Sequence, residues 1–208
     1  MSNIIKNTET AKDKYATYRV LTSRHKLAMK HGFFLEALLI DYSMLEDRLT
    51  AFLWYSGVTP SAEKLSFGGR GNKADLKNIF SEYVGKDDTA PKLRNISGKI
   101  ETIRALITFA SKPCDKESKY CKLLYDALNA IDLDKLSETL DGIDQWRGYR
   151  NEVIHAAMKK DIFSLTEGLD ENARLGMEYA RVIDNAVKKL KNRPAIRRAV
   201  RMPSKKDG

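Results

Sequence analysis

What this chain of 208 residues lacks narrows its class before any motif is read. It has two cysteines, Cys114 and Cys121. Their spacing fits neither a redox pair nor a zinc site, and a single bridge cannot staple a chain this long, so both are expected as reduced thiols. Glycine (12) and proline (5) are scarce, which excludes a low-complexity or collagen-like chain. No apolar run approaches the roughly 18–20 residues of a membrane-spanning helix. The run Ala37–Ile40 is bounded by Glu36 and Asp41. Residues 1–14 are polar and mixed in charge, without the apolar core of a signal peptide. The expectation is a cytoplasmic protein with no membrane partner.

What is present is charge and helical periodicity. Charged residues make up 31% and hydrophobic residues 42%, enough for a packed core and too much for general disorder. The formal charge of +9 is uneven. From Lys188 onward there are nine basic residues and one acid, Asp207, so that segment carries +8 and residues 1–187 only +1. Lys188, Lys189, Lys191, Arg193, Arg197, Arg198 and Arg201 are the expected contacts to nucleic-acid phosphate, which such a segment attracts through counterion release. The plainer alternative is a solvated terminus that maintains solubility.

Strand signals are weak throughout, and helices are expected over about 10–29, 33–55, 73–84, 96–111, 116–131, 133–158 and 171–191. The candidate buried positions of the first are Tyr15, Tyr18, Val20, Leu21 and Leu27; those of the second are Phe34, Leu38, Leu45, Leu49 and Phe52. The last carries the stripe Ala173, Met177, Ala180, Ile183, Ala186, Val187 and Leu190, and Pro194 ends it. The cluster Ser66-Phe67-Gly68-Gly69-Arg70-Gly71-Asn72 lacks the spacing and terminal Gly-Lys of a phosphate loop and is read as a flexible connector. The fold class expected is all-α, an antiparallel up-and-down bundle over residues 1–192. Residues 56–111 are expected as a loop and short-helix insertion, and residues 193–208 as a flexible basic tail.

The chemistry concentrates in Arg150-Asn151-Glu152-Val153-Ile154-His155. Ile143, Trp146, Arg150, Val153 and Ala157 recur at helical offsets, so Arg150 interrupts an apolar stripe and needs a carboxylate, an interface or a bound anion. Glu36, Asp41 and Glu46 on the second helix are its candidate carboxylate partners. His155 is five residues on, about 140° around a regular helix. An irregular turn at Gly148, or a second copy of the chain, would bring the two side chains together. Asn151 or Glu152 shares a face with His155 and would fix its tautomer. Guanidinium and imidazole together suit RNA cleavage: one holds the phosphate while the other takes the 2′-hydroxyl proton. His25 and His31, in a lysine-rich segment, are expected at the surface.

Arg150-Asn151 with His155, late in a helical chain, resembles the Arg-x(4–6)-His signature of the HEPN superfamily. The resemblance is specific over about Trp146–Ala156 and architectural over about residues 10–190. It implies a helical bundle that dimerises and cleaves RNA without metal or cofactor, in toxin–antitoxin or other prokaryotic defence settings, with an antitoxin or other protein as a further partner. It implies catalytic roles for Arg150, His155 and Asn151 and for an acid on an earlier helix, best matched by Glu46, with Glu36 and Asp41 as the alternatives. Some members are inactive, so the alternative it carries is a non-catalytic module that binds RNA, a nucleotide or a protein.

Overall fold

A computed structural model describes residues 11–60, 65–86, 90–113, 118–156, 159 and 167–201. Cys114, Ala157, Met158 and the cations beyond Arg201 lie outside these residues. The described residues form eight helices and no strand: α1 (Ala11–His31), α2 (Phe34–Tyr55), α3 (Lys73–Val84), α4 (Ile96–Ala110), α5 (Lys119–Leu128), α6 (Leu133–Ala156), α7 (Leu169–Lys191) and α8 (Pro194–Arg201). The expected all-helical bundle is what forms.

Local chemistry sets the boundaries. The Asn95 side chain accepts from Gly98 N at 2.8 Å and caps α4, and Ser118 accepts from Cys121 N at the start of α5. Gly85 ends α3 in the left-handed conformation that needs no side chain. Between α3 and α4, Pro91 keeps the chain non-helical.

Helix α2 is the axis of the core. Leu38, Leu45, Leu49 and Phe52 are fully buried, each contributing about 1.5–3 kcal/mol by leaving water. Helix α7 runs alongside in the same direction, because their contacts advance in step: Ala37 packs with Ala173, Asp41 faces Gly176, and Arg48 meets Asp184. All seven residues of the expected α7 stripe are buried. A Cβ on Gly176 would lie 2.7 Å from Trp146 and 2.8 Å from Asp41, so α2, α6 and α7 can approach this closely only over glycine. The segment 56–111, expected as an insertion, belongs to this same core through Leu76, Phe80, Ile100, Ile103, Leu106 and Phe109.

Helix α1 departs from expectation. Tyr15, Val20 and Leu27 are exposed. The inner line is Lys14, Tyr18, Leu21, His25 and Ala28, spaced four, three, four and three. Lys14 pairs with Asp47 at 2.6 Å, and the Tyr18 hydroxyl donates to the same carboxylate at 2.6 Å. His25 is buried, correcting its surface assignment, whereas His31 is exposed. The reason is Asp41: its fully buried carboxylate lies 3.2 Å from His25 Nε2. A buried charge needs an opposite partner, and α1 supplies the imidazole.

The basic terminus is also different. Residues 194–201 are a helix rather than a flexible tail, and Ile196, Ala199 and Val200 are buried in the main core. Arg197 turns inward. Its guanidinium lies 3.3 Å over the Trp54 ring and donates to the carbonyls of Trp54, Thr59 and Pro60. Those oxygens end or follow α2, where the helical hydrogen-bond ladder runs out; Trp54 O also accepts from Gly57 N at 3.1 Å. The glycine cluster grips the other side of α8. Gly71 N donates to Val200 O, and a Cβ on Gly69 would lie 2.6 Å from Val200. Asn72 ties the loop down by accepting from Gly69 N and donating to Gly57 O. The loop is a clasp for α8, not a free connector.

Candidate functional site

Helix α6 carries the motif without a break from Leu133 to Ala156, through Gly142 and Gly148. The irregular turn that would join Arg150 to His155 is therefore not formed. A regular helix separates positions five apart by about 140° in rotation and about 7.5 Å in rise. The environments follow: Arg150 is half-buried against α2, and His155 is exposed in the last turn.

Arg150 meets no carboxylate among the described residues. Its guanidinium carbon sits 3.9 Å over the Tyr42 ring, and Nη1 donates to Asn151 Oδ1 at 3.1 Å. Its Nε is buried without a hydrogen-bond partner. Tyr42 also stacks on Trp146, with ring centroids 6.5 Å apart and planes 21° from parallel. Trp146 is held by its indole N–H, which donates to Asn172 O at 2.7 Å. One tyrosine on α2 thus receives an aromatic ring and a guanidinium from successive turns of α6. The three candidate carboxylates are elsewhere: Glu36 is exposed, Asp41 faces His25, and Glu46 accepts from the buried Lys99 at 2.9 Å.

Glu46 lies one helical turn from Tyr42, so the Lys99–Glu46 pair and the Arg150–Tyr42 stack are neighbours on one face of α2. Beside them Arg147 donates to Ser97 Oγ and pairs with Asp144, which with Asp141 also holds Arg104. This seam fixes α4 to α6. The structure brings Arg150 and Asn151 into contact, sets Glu46 one turn from the ring that carries Arg150, and leaves His155 outside the group. Tyr42 and Lys99 were not anticipated from the sequence, and Trp146 was placed on the Arg150 stripe but not as the ring that stacks on Tyr42. The available signal was spacing: Trp146 precedes Arg150 by four residues and Tyr42 precedes Glu46 by four, so each pair shares a helix face.

The expected cations divide. Lys188 pairs with Asp184 at 2.7 Å, Lys189 donates to Ala130 O, and Arg197 is committed to the end of α2. Lys191, Arg193, Arg198 and Arg201 are exposed. Among the described residues no group of three or more His, Cys, Asp or Glu side chains is placed to hold a metal ion, and no helix is long and apolar enough to cross a membrane. No family model, curated protein or solved structure matches the chain.

Proposed function

We propose that the chain is a metal-independent endoribonuclease of the HEPN type, acting in a prokaryotic defence or toxin–antitoxin setting. The observation that carries this reading is Arg150: a guanidinium on an apolar stripe with no carboxylate among the described residues, held by a ring face and its own neighbour. Such a group keeps N–H donors for a phosphate and stabilises the negative charge that develops there. His155, exposed, takes the proton from a ribose 2′-hydroxyl. The 2′-oxygen bonds to phosphorus, the bond to the 5′-oxygen breaks, and that oxygen takes up a proton. The ends are a 2′,3′-cyclic phosphate and a 5′-hydroxyl. Asn151 positions Arg150, and Glu46 positions Lys99 beside the same face.

Because Arg150 and His155 diverge on α6, a site containing both takes Arg150 from one copy and His155 from another. Purified chain should cleave RNA but not DNA in the presence of EDTA. Arg150→Ala and His155→Ala should each abolish cleavage, and mixing the two variants should restore it by re-forming one intact composite site. Cleavage that survives His155→Ala overturns the assignment.

The divergence itself favours a second reading, a non-catalytic module that binds RNA, a nucleotide or a protein through Arg150. Under it, RNA binding falls with Arg150→Ala while no preparation cleaves.

A further inference from the structure

Helices α5 and α8 lie side by side, and between them is a concavity of about 250 Å³ lined by Lys119, Ala195, Arg198 and Ala199. Two cations from different helices form its walls. Two alanines of α8 complete the lining. Lys122 follows Lys119 by three residues on α5, and Arg201 follows Arg198 by three on α8; both are exposed. None of these four cations has an ion pair among the described residues. Asp126, two turns from Lys119, is the acid on that face of α5.

The cations are also fixed in place. Arg197 pins α8 to the end of α2 by three hydrogen bonds and a stacked ring, while Ile196, Ala199 and Val200 are buried. Arg198 and Arg201 therefore stand on a rigid helix, so less conformational freedom is lost when they meet a ligand than on a free tail.

We propose that the α5–α8 groove is a binding site for the phosphate backbone of RNA, one phosphate lying between Lys119 and Arg198 and the strand continuing past Lys122 and Arg201. The chemistry is charge without sequence choice: two cations and two small side chains in the lining let the backbone approach and offer no base-reading edge. An anionic membrane is the less fitting occupant. A helix that lies on a bilayer inserts an apolar face, and the apolar residues of α8 point into the core. The proposal rests on the ribonuclease reading only for the choice of RNA.

The test uses full-length chain carrying His155→Ala, so that cleavage does not enter. Binding of a fluorescein-labelled single-stranded RNA is followed by anisotropy across salt. Lys119→Glu combined with Arg198→Glu should weaken binding by at least about tenfold at low salt and reduce the slope of log affinity against log salt by about 0.7, the value for the one phosphate the two cations share on a single strand. The milder Lys119→Ala with Arg198→Ala should lower the slope equally and leave the thermal midpoint unchanged, which separates lost contact from lost fold. Unchanged affinity and slope in both double variants overturn the proposal. So does tighter binding to phosphatidylserine vesicles than to RNA, if it is lost in the same variants. RNA binding that needs the groove, in a chain that never cleaves, upholds the groove and sinks only the ribonuclease.

Discussion

Arg150 rests on the face of Tyr42 at 3.9 Å, where a guanidinium on an apolar stripe would ordinarily meet a carboxylate. The difference is measurable. A cation on a ring contributes about 0.5–2 kcal/mol, whereas breaking a buried ion pair costs about 3–5 kcal/mol. Arg150→Leu should therefore lower stability by no more than about 2 kcal/mol, read from urea unfolding, because leucine also suits the stripe. A loss of 3–5 kcal/mol or more would make Arg150 one half of a structural ion pair and remove the case for a phosphate clamp.

Arg197 should behave in the opposite way. It satisfies three carbonyls and stacks on Trp54, and burial, reinforced by the like charge of Arg201, pushes its pKa down to about 10, so it stays charged at neutral pH. Arg197→Ala should cost about 2–4 kcal/mol in unfolding free energy, by losing the Trp54 stack and the donors to the Thr59 and Pro60 carbonyls, while Trp54 O keeps Gly57 N as a donor. Arg197→Lys should recover little, since an ammonium lacks the planar fork. A cost within about 0.5 kcal/mol of zero would mean that α8 is held by its apolar face alone.

The His25–Asp41 pair sets a pH dependence with a definite sign. The Asp41 carboxylate raises the His25 pKa, helped by the Ala173 carbonyl and opposed by burial and by Arg181. Burial raises the Asp41 pKa against the pull of His25 and Arg181. Both folded values lie above their unfolded ones. Each contribution is therefore complete below the unfolded pKa and lost as pH rises through the folded one. For His25 the loss begins above about pH 6.5. Unfolding by urea at stepped pH should show stability falling from slightly acid to mildly alkaline conditions. The slope should flatten in His25→Gln with Asp41→Asn. His25→Gln alone should be less stable than that double variant at alkaline pH, because it leaves the buried Asp41 with only the pull of Arg181. A flat wild-type profile across this window would sink the account.

Two glycine substitutions separate close contact from helix propensity. At Gly69 an added Cβ would meet Val200 at 2.6 Å on its side chain and 2.9 Å on its carbonyl, so Gly69→Ala should cost about 1–3 kcal/mol. At Gly148 an added Cβ meets nothing within 4 Å, and Gly148→Ala should stabilise by about 0.5–1 kcal/mol. If Gly148→Ala instead abolishes RNA cleavage without loss of fold, activity needs the turn that α6 does not show here.

Helices were legible where one face is apolar and the partner surface broad. The stripe of α7 reads directly because α2 and α6 both cover it. On α1 the same reasoning found Tyr18 and Leu21, added the exposed Tyr15, Val20 and Leu27, and missed Lys14 and His25 on the inner line. That helix meets its neighbours along a seam where Asp41 and Asp47 demand polar partners, so hydrophobicity points to the wrong face. α8 was obscured for a related reason. Its charge dominates the composition, yet Ile196, Ala199 and Val200 recur at helical spacing and were enough to bury one side. At the candidate site the motif could be found in sequence, but the direction of each side chain could not. That direction depends on whether α6 bends at Gly148, and on Tyr42, which is 108 positions earlier in the chain than Arg150.

The lock on the end of α2 also orders events in time. Arg197 closes a loop of 143 residues to reach the Trp54 carbonyl. On a ribosome, α2 is made long before the side chain that completes it. Contacts this distant in sequence form late and slow folding. The lock cannot close before residue 197 has been made, and the α5–α8 groove, which stands on the helix that Arg197 holds, cannot precede it.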